Sequence, residues 1–246
     1  MTLYDQVCVI SGGGSGIGRA TALRMAQDGA NIALVGRTET KLRSVKAEIE
    51  GMGGKATFHA LDVVNVEATQ AMVKDVLREF GKINVLVNSA GDISIHRKLL
   101  ETTPEDIYLT FNSNITGTIV LTQAVISQML AAQSGTIINV SSVVGATPSQ
   151  ISGVAYSAAK AAVINFTHYL NREFANTGIR ACVILPGEVD TSFLNKRPNP
   201  PTTDVRAMMV TVEDVAEAIF LMARLPQRAM IRELVITPTF RPRVVA

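Results

Sequence analysis

A tyrosine and a lysine one helical turn apart are the residues whose types and spacing most clearly suggest chemistry. Tyr156 and Lys160 stand at i and i+4, near the start of a long segment with helical periodicity. At that spacing both side chains lie on one face of a helix. An ammonium group beside a phenol favours the phenolate, so we expect Lys160 to lower the pKa of Tyr156 from its usual value of about 10. Tyr156 is therefore a candidate general acid and base.

Two serines precede this pair at the end of an apolar run. Residues 136–140 read as a buried strand, and Ser141 and Ser142 follow it directly. A hydroxyl at this point can hold the carbonyl oxygen of a substrate in line with Tyr156. When a hydride reduces that carbonyl, Tyr156 would protonate the alkoxide that forms. Ser142 is the preferred candidate, and Ser141 is the alternative.

The elements that must position these residues alternate regularly along the chain. Strands that are apolar on both faces and separated by helices predict a parallel sheet covered on both sides. We therefore predict an α/β fold, a Rossmann-type doubly wound sheet of seven parallel strands in a three-layer α/β/α arrangement, as a single domain over residues 1–246. The strands are predicted at 6–10, 31–35, 55–61, 83–87, 135–140, 180–185 and 233–236, and the main helices at 18–28, 40–52, 67–80, 107–133, 155–177 and 212–225.

A glycine-rich turn follows the first strand, at the sheet edge where such folds bind ligands. Glycine lets a diphosphate approach the backbone, and the start of the next helix supplies free N–H groups. An ordinary turn is the alternative interpretation. The residues predicted to bind a dinucleotide here are Gly12, Gly14, Ser15, Gly16, Ile17 and Gly18.

The end of the second strand indicates which dinucleotide is bound. Proteins that bind NAD usually place an acidic residue there for the ribose hydroxyls, whereas this chain continues with Arg37 and Thr38. Arg37 can pair with a 2′-phosphate, assisted by the Thr38 hydroxyl. NADP(H) is therefore favoured over NAD(H), and a solvated arginine at a helix start is the alternative.

Asp62 and Val63, after the third strand, are expected at the adenine end of the same site. The Asp62 carboxylate can accept a hydrogen bond from the adenine amino group. Its alternative role is that of a turn or helix-capping residue.

Together these motifs resemble the short-chain dehydrogenase/reductase family over nearly the whole chain. Besides the glycine turn and the Ser/Tyr/Lys set, the resemblance rests on Asn114, on the Asn-Ser-Ala-Gly sequence at 88–91 and on the Pro-Gly sequence at 186–191. It implies that Tyr156 is the general acid in reduction and the base in oxidation. It also implies that Lys160 lowers the pKa of Tyr156 and binds the nicotinamide ribose, that Ser142 orients the carbonyl, and that Asn114 holds a relay water.

The resemblance implies further cofactor contacts and a substrate lid. Asn88, Ala90 and Gly91 belong to a motif that supports the central sheet beside the cofactor. After Pro186 and Gly187, the Val189 backbone and the Thr191 hydroxyl would meet the nicotinamide carboxamide. Residues of about 188–210 would form the lid, and the end of the chain at 231–239 resembles members that act on small hydroxy acids or aldehydes with NADP.

The substrate itself is poorly specified. Lys196 and Arg197 on the lid either hold an anionic group or are simply solvated, whereas Glu188 would disfavour an anion if it points inward. The residues expected to line the pocket are Ile93, His96, Val144, Ile151, Phe193 and Leu194.

Composition excludes several other classes of protein. The 246 residues include 23 Lys or Arg and 21 Asp or Glu, a formal net charge of +2, which argues against nucleic acid as a partner. With no long apolar stretch and no basic amino-terminal segment, we expect no membrane span and no signal peptide, and hence a cytoplasmic protein. Two cysteines, Cys8 and Cys182, exclude a disulfide scaffold, and no metal site is predicted.

The favoured function is therefore an NADP(H)-dependent carbonyl reductase that acts on a small ketone, aldehyde or hydroxy acid. The alternatives are an NAD-linked alcohol dehydrogenase, a non-catalytic NADP-binding regulator, and enoyl reduction or epimerisation on the same fold. The apolar surfaces of helices 107–133 and 155–177 predict a homo-oligomer, a dimer or tetramer, which the apolar residues 244–246 can also join.

Overall fold

Seven parallel strands form one sheet in the order β3-β2-β1-β4-β5-β6-β7, in a computed structural model that describes residues 2–197 and 199–239. The predicted association of residues 244–246 with a neighbour lies outside these described residues. The sheet class is confirmed, and each predicted strand is present to within two residues at either end. The strands are β1 Val7–Ser11, β2 Asn31–Gly36, β3 Lys55–Ala60, β4 Val85–Asn88, β5 Gly135–Val140, β6 Ile179–Pro186 and β7 Glu233–Ile236.

Helices cover both faces of the sheet, because the buried side chains of each strand alternate between two hydrophobic clusters. In β1, Cys8 and Ile10 pack with helices α1, α2 and α9, whereas Val7 and Val9 pack with α3, α5 and α7. The helices are α1 Gly16–Gln27, α2 Glu39–Gly51, α3 Val66–Phe80, α4 Pro104–Phe111, α5 Gly117–Ala131, α6 Val143–Ala146, α7 Val154–Glu173, α8 Thr203–Arg206 and α9 Val212–Arg224.

The helix predicted over 107–133 is present as a continuous helical segment, in which a π-helical turn, Asn112–Thr116, separates α4 from α5. The Asn114 side chain donates to the Thr110 carbonyl at 2.8 Å, and so occupies an acceptor of the α-helical ladder. The change of pitch carries Asn114 inward. In α5, Leu121, Val125 and Met129 are fully buried within the chain's own core.

Both cysteines are buried and free, on β1 and β6. Burial in apolar surroundings raises the pKa of the Cys8 thiol to about 12 and that of Cys182 to about 11. In the part of the chain that the structure describes, no helix combines the length and apolar character needed to cross a bilayer.

Candidate active site

A cavity of about 840 Å³ opens at the carboxyl edge of the sheet. It brings together three segments that the sequence separates widely: the glycine turn after β1, the end of β5 with the start of α7, and the segment after β6. The predicted site residues that line it are Gly12, Ser15, Gly16, Ile17, Ala90, Gly91, Asn114, Ser142, Tyr156, Lys160, Pro186, Gly187, Val189 and Thr191.

The glycine turn is shaped to present backbone N–H groups at the start of α1. Gly12 and Gly16 adopt positive φ angles of 68° and 52°. A Cβ on Gly18 would collide with the Gly12 carbonyl oxygen. Helix α1 can therefore pack this closely against the turn only because residue 18 is glycine. The first turn of α1 has no acidic residue, and no side chain caps its N–H groups. These groups can therefore bind an anion.

Ser11 holds this turn against the loop after β4. Its buried Oγ accepts hydrogen bonds from the backbone N–H groups of Ser89 and Ala90, each at 3.1 Å. The position of Ala90 and Gly91 in the cavity wall therefore depends on the Ser11 hydroxyl.

Asn88 supports the sheet from within. Its amide donates to Asn139 at 2.8 Å and to Thr122 at 3.2 Å, and Asn139 in turn donates to Thr167 at 2.8 Å. The side chain is buried between β4, β5 and two helices rather than in the cavity wall. The supporting role implied by the family resemblance matches this geometry, whereas a direct cofactor contact of this side chain does not.

Arg37 stands exposed at the end of β2, and its guanidinium lies 3.3 Å from the Asp92 carboxylate. Thr38 occupies the N-cap position of α2, but its hydroxyl makes no capping hydrogen bond. A second cation is close by, since a Cβ on Gly14 would lie 3.1 Å from the Lys41 Cβ. Sequence analysis missed Lys41, whose only signal is its position one turn after Arg37.

The Asp62 carboxylate accepts the backbone N–H of Val64 at 3.2 Å, which is the contact expected of a turn residue. The N-cap of α3 is Asn65, which accepts from Ala68 at 2.9 Å. Val63 is buried, and its side chain packs where a Cβ on Gly117 would otherwise stand. Asp62 therefore takes the turn role through Oδ1, while its side chain stays exposed, and the predicted contact with adenine stays a prediction.

Tyr156 and Lys160 lie on one face of α7, as their spacing predicts. The lysine Nζ is 5.5 Å from the centroid of the tyrosine ring, and it donates to the Val140 carbonyl at 2.9 Å. Lys160 is buried, and this burial lowers its pKa from the usual 10.5 to about 8.

The expectation that Lys160 lowers the pKa of Tyr156 is wrong for this structure. Burial raises the tyrosine pKa well above its ordinary value, because the phenolate would lose its hydration. The group that opposes this rise is the positive charge of Arg97, not that of Lys160.

The two serines after β5 face different partners. Ser141 is buried, and its hydroxyl donates to the Lys160 carbonyl at 2.8 Å. The Ser142 hydroxyl is only part-buried, and its one donor contact, to the Pro186 carbonyl at 3.3 Å, is long. Ser142 also begins α6 as its N-cap, which fixes the hydroxyl at the mouth of the cavity. This arrangement favours Ser142 over Ser141 as the serine that could donate to the carbonyl oxygen of a substrate.

Asn114 presents an unpaired acceptor near the lysine. Its amide nitrogen donates to the Asp92 carbonyl at 2.6 Å and to the Thr110 carbonyl at 2.8 Å. Its Oδ1 is buried and has no partner among the described residues. A Cβ on Gly91 would lie 2.6 Å from this oxygen and 3.7 Å from Lys160 Nζ, so both polar atoms face one small space.

Most of the predicted substrate-pocket residues line the cavity. They are Ile93, Val144, Ile151, Phe193 and Leu194. The prediction is wrong for His96, which does not line this cavity. Its imidazole lies 2.8 Å from the Asp106 carboxylate, which also accepts a hydrogen bond from Ser94. The Phe193 ring lies 6.4 Å from that of Tyr156, centroid to centroid.

The two ends of the segment 188–210 contact each other. Val189 pairs with Val210 in a parallel bridge, and Arg206 joins Asp190 at 3.2 Å as well as Asn195. Three lid side chains that the sequence analysis did not single out also line the cavity: Val205, Met208 and Met209.

The two cations that the sequence analysis considered for binding an anionic substrate, Lys196 and Arg197, are both paired with carboxylates. Lys196 pairs with Asp92, and Arg197 pairs with Glu188 at 3.0 Å. The question left open for Glu188 is thereby answered, since its charge is directed at Arg197.

Comparison with known proteins gives a consistent result. A model of the short chain dehydrogenase family matches residues 6–201. A 3-oxoacyl-acyl-carrier-protein reductase of Thermotoga maritima is 37% identical over 200 residues, which cover 80% of each chain. An uncharacterised oxidoreductase of Staphylococcus aureus strain USA300 is 33% identical over 236 residues, covering 96% of this chain and 98% of that protein.

Solved structures agree with these matches. An alcohol dehydrogenase of the archaeon Thermococcus sibiricus, complexed with 5-hydroxy-NADP, superposes with a TM-score of 0.86 at 28% identity, over 96% of this chain and 98% of the other. A serine dehydrogenase complexed with NADP⁺ superposes with a TM-score of 0.87 at 28% identity, over 98% of both chains.

Proposed function

Because the chain belongs to the short-chain dehydrogenase/reductase family of oxidoreductases, we propose that it is an NADP(H)-dependent carbonyl reductase. It would transfer a hydride between nicotinamide and the carbon of a small ketone, aldehyde or hydroxy acid. The observation that carries this proposal is the single cavity in which the glycine turn, Ser142, Tyr156 and Lys160 meet. Residues 1–246 would form one domain, with residues of about 188–210 as its substrate lid.

The residues present fit a nicotinamide dinucleotide. The N–H groups at the start of α1 are not capped by a side chain, and Gly18 packs against Gly12 because it has no Cβ. Both features suit the binding of a diphosphate. Thr191 faces the same turn, since its Cγ2 lies 4.0 Å from the point where a Cβ on Gly16 would stand. When bound, the nicotinamide would supply or accept the hydride.

The chain's own residues would manage the proton and the carbonyl oxygen. Ser142, whose hydroxyl has only a long contact to the Pro186 carbonyl, would turn to donate to the substrate oxygen. Tyr156 would give its phenolic proton to that oxygen in reduction and take it back in oxidation. Its raised pKa keeps the phenol protonated before reaction, which suits the reductive direction.

Lys160 and Asn114 would connect the tyrosine with solvent. Lys160 titrates near pH 8, so it can exchange protons close to neutrality. The unpaired Oδ1 of Asn114 would accept a hydrogen bond from a water that also serves the lysine. The absence of other partners for this buried oxygen, among the described residues, supports the relay implied by the family resemblance.

A preference for NADP(H) rests on the charges at the end of β2. Arg37, with Lys41 one turn later, offers positive charge where the 2′-phosphate would lie, and the Thr38 hydroxyl is free of a capping bond. The Thermococcus sibiricus and serine dehydrogenase structures, which carry 5-hydroxy-NADP and NADP⁺, support the same choice. The serine dehydrogenase also supports a small hydroxy acid as substrate.

We propose a homo-oligomer as the assembly. Large apolar side chains are exposed on the helices that the sequence singled out: Ile107, Tyr108 and Leu109 on α4, and Val154 and Tyr169 on α7. The buried residues of α5 do not contribute to this argument, because they pack within the chain's own core. Light scattering during size exclusion measures the assembly, and a monomer would contradict the proposal.

The function is tested with a panel of aldehydes, ketones and oxo acids, assayed with NADPH and with NADH. We expect turnover with NADPH for at least one class and a loss of about 10³-fold or more in kcat for Tyr156→Phe. Binding of NADPH by the variant, measured by fluorescence titration, serves as the control for folding. A variant that turns over as fast as the wild type would contradict the proposal.

A further inference from the structure

Two buried arginines in this chain differ in how their nitrogens are satisfied. Arg180 is 5% exposed, and all three of its side-chain nitrogens donate, to Thr136 and to the carbonyls of Pro226, Ala229 and Ala223, at 2.6–2.9 Å. Arg97 is similarly buried, at 7% exposed. Its Nη2 donates to the Lys196 carbonyl at 3.1 Å, but its Nε and Nη1 have no partner among the residues described.

The position of Arg97 is fixed independently of these missing partners. Its carbonyl accepts the Val154 N–H at 3.2 Å, at the start of the helix that carries Tyr156. The preceding loop is tied to α4 through Ser94, whose Oγ accepts the His96 N–H at 2.9 Å and donates to Asp106 at 2.5 Å. A Cβ on Gly153 would lie 2.9 Å from the Arg97 Cα, so the two segments pack in direct contact.

Arg97 lies at the substrate end of the site. It lines the active-site cavity together with Tyr156 and Phe193, and it also lines an adjoining cavity of about 1240 Å³. The lid covers it, because the Lys196 carbonyl is its one hydrogen-bond partner among the described residues. An incoming group that meets Arg97 would therefore displace this lid contact.

The charges around Arg97 select a monoanion. Among the described residues, Lys196 pairs with Asp92, which also pairs with Arg37, and Arg197 pairs with Glu188. Of the cations that line the two cavities, only Arg97 and Lys160 have no carboxylate partner among the described residues, and Lys160 lies beside Tyr156 and donates to the Val140 carbonyl. An unpaired buried guanidinium is costly unless it meets an anionic acceptor, and a carboxylate supplies two oxygens that accept from such N–H groups.

From this geometry we infer that Arg97 binds a carboxylate of the substrate, so that the enzyme acts on oxo acids and hydroxy acids rather than on neutral carbonyl compounds. The inference rests on the proposed function for the reacting carbonyl, and it names the substrate class of that site. Arg97, and not the Lys196 and Arg197 considered from the sequence, would then be the residue that binds the anionic group of the substrate.

Binding of non-reacting probes tests the inference without turnover. Butanoate and butanamide have the same chain length and differ in charge, and their affinities are measured by ligand-observed NMR with and without NADP⁺. We expect the wild type to bind butanoate about tenfold or more tightly than butanamide. In Arg97→Met the ratio should fall to within about twofold, and Arg97→Lys should retain part of it. Equal binding of acid and amide by the wild type would overturn the inference.

Arg172→Met is the matched control, since it removes the same charge from an exposed position in the last turn of α7. Its acid-to-amide ratio should equal that of the wild type. A ratio lowered as much as in Arg97→Met would mean that net charge, not a local contact, discriminates the probes, and would overturn the inference.

Turnover separates recognition from support of the lid. For 2-oxobutanoate and its methyl ester, Arg97→Met should raise KM for the acid by about 10- to 100-fold and leave ester kinetics within about threefold. Equal losses on both substrates would show that Arg97 only anchors the lid, and would overturn the inference. A failure of the proposed function looks different, because NADP⁺ would then fail to bind while the acid-to-amide ratio persisted.

Discussion

The Ser141 hydroxyl donates to the backbone carbonyl of Lys160 at 2.8 Å. This contact joins the end of β5 to α7 from inside the protein, at Lys160. It also commits the Ser141 hydroxyl, so that the neighbouring Ser142 is the serine whose proton is available to a substrate oxygen.

Replacement of each serine by alanine should therefore have opposite consequences. Ser142→Ala should lower kcat by about a hundredfold, because a donor to the developing oxyanion is lost, and its long capping contact to the Val144 N–H, at 3.4 Å, should cost no more than about 0.5 kcal/mol in stability. Ser141→Ala should lower the free energy of unfolding by about 1 kcal/mol, through the lost buried hydrogen bond, and leave kcat within about threefold. Steady-state kinetics and urea denaturation on both variants measure these effects. The reverse pattern would assign the substrate contact to Ser141.

Arg37→Ala should weaken NADPH binding by about 1 to 3 kcal/mol and leave NADH binding nearly unchanged, because only NADPH carries the 2′-phosphate. Arg37 is exposed, with 59% of its side-chain surface accessible, so the preference should also fall as salt is added. Fluorescence titration with both cofactors measures the effect. Arg43→Ala is the control, since Arg43 is an exposed arginine in the second turn of α2, the helix that follows Arg37, and pairs with Glu39. If NADH binds the wild type as tightly as NADPH, the interpretation of this strand end is wrong.

Gly18→Ala should disrupt the cofactor turn. The added methyl group would collide with the Gly12 carbonyl oxygen, which is backbone and cannot swing aside. We expect a loss of about 2 kcal/mol in stability and at least about a tenfold loss in NADPH affinity. Gly51→Ala is the matched control, because no atom lies within 4 Å of a Cβ added there. Normal NADPH binding by Gly18→Ala would rule out the close approach as a requirement.

Lys160 should make stability depend on pH in a defined direction. Its pKa is about 8 in the folded protein and 10.5 ordinarily, so between these values the unfolded chain binds a proton that the folded chain does not. Stability therefore rises with pH across this window. The free energy of unfolding of the wild type, relative to Lys160→Met, should increase by about 2 to 3 kcal/mol from pH 7 to pH 10. If the free energy of unfolding of the two proteins depended on pH in the same way, the lowered pKa of Lys160 in the folded protein would be contradicted.

The sheet and the placement of Tyr156 and Lys160 on one helix face could be predicted because each has a local signature. Runs that are apolar on both faces predict parallel strands, and the spacing of Tyr156 and Lys160 places them on one helix face. The pattern of apolar residues alone does not predict the π-helical turn at 112–116, because the turn follows from the Asn114 side chain competing for a helix carbonyl. A pattern of apolar residues does not register that competition.

Arg97 had no signal in the sequence for a different reason. It stands in a loop between His96 and Lys98, and its burial comes from Gly153 and the segment around Lys196, which are distant along the chain. The pairing of Lys196 with Asp92 depends on the same long-range arrangement. The direction of the Tyr156 pKa was missed for this reason as well, since it reflects burial and Arg97 rather than the adjacent lysine.

Isotope transfer tests the central claim most directly. NADPH in which both hydrogens at the nicotinamide C4 are replaced by deuterium is incubated with the enzyme and an oxo acid, and the alcohol product is analysed by mass spectrometry and NMR. The account predicts one deuterium on the former carbonyl carbon with the wild-type enzyme, and none above background with Tyr156→Phe. Unsaturated analogues of the same acid should be reduced at the carbonyl, not at the double bond. Deuterium on a double-bond carbon, or a product without deuterium, would contradict carbonyl reduction by this site.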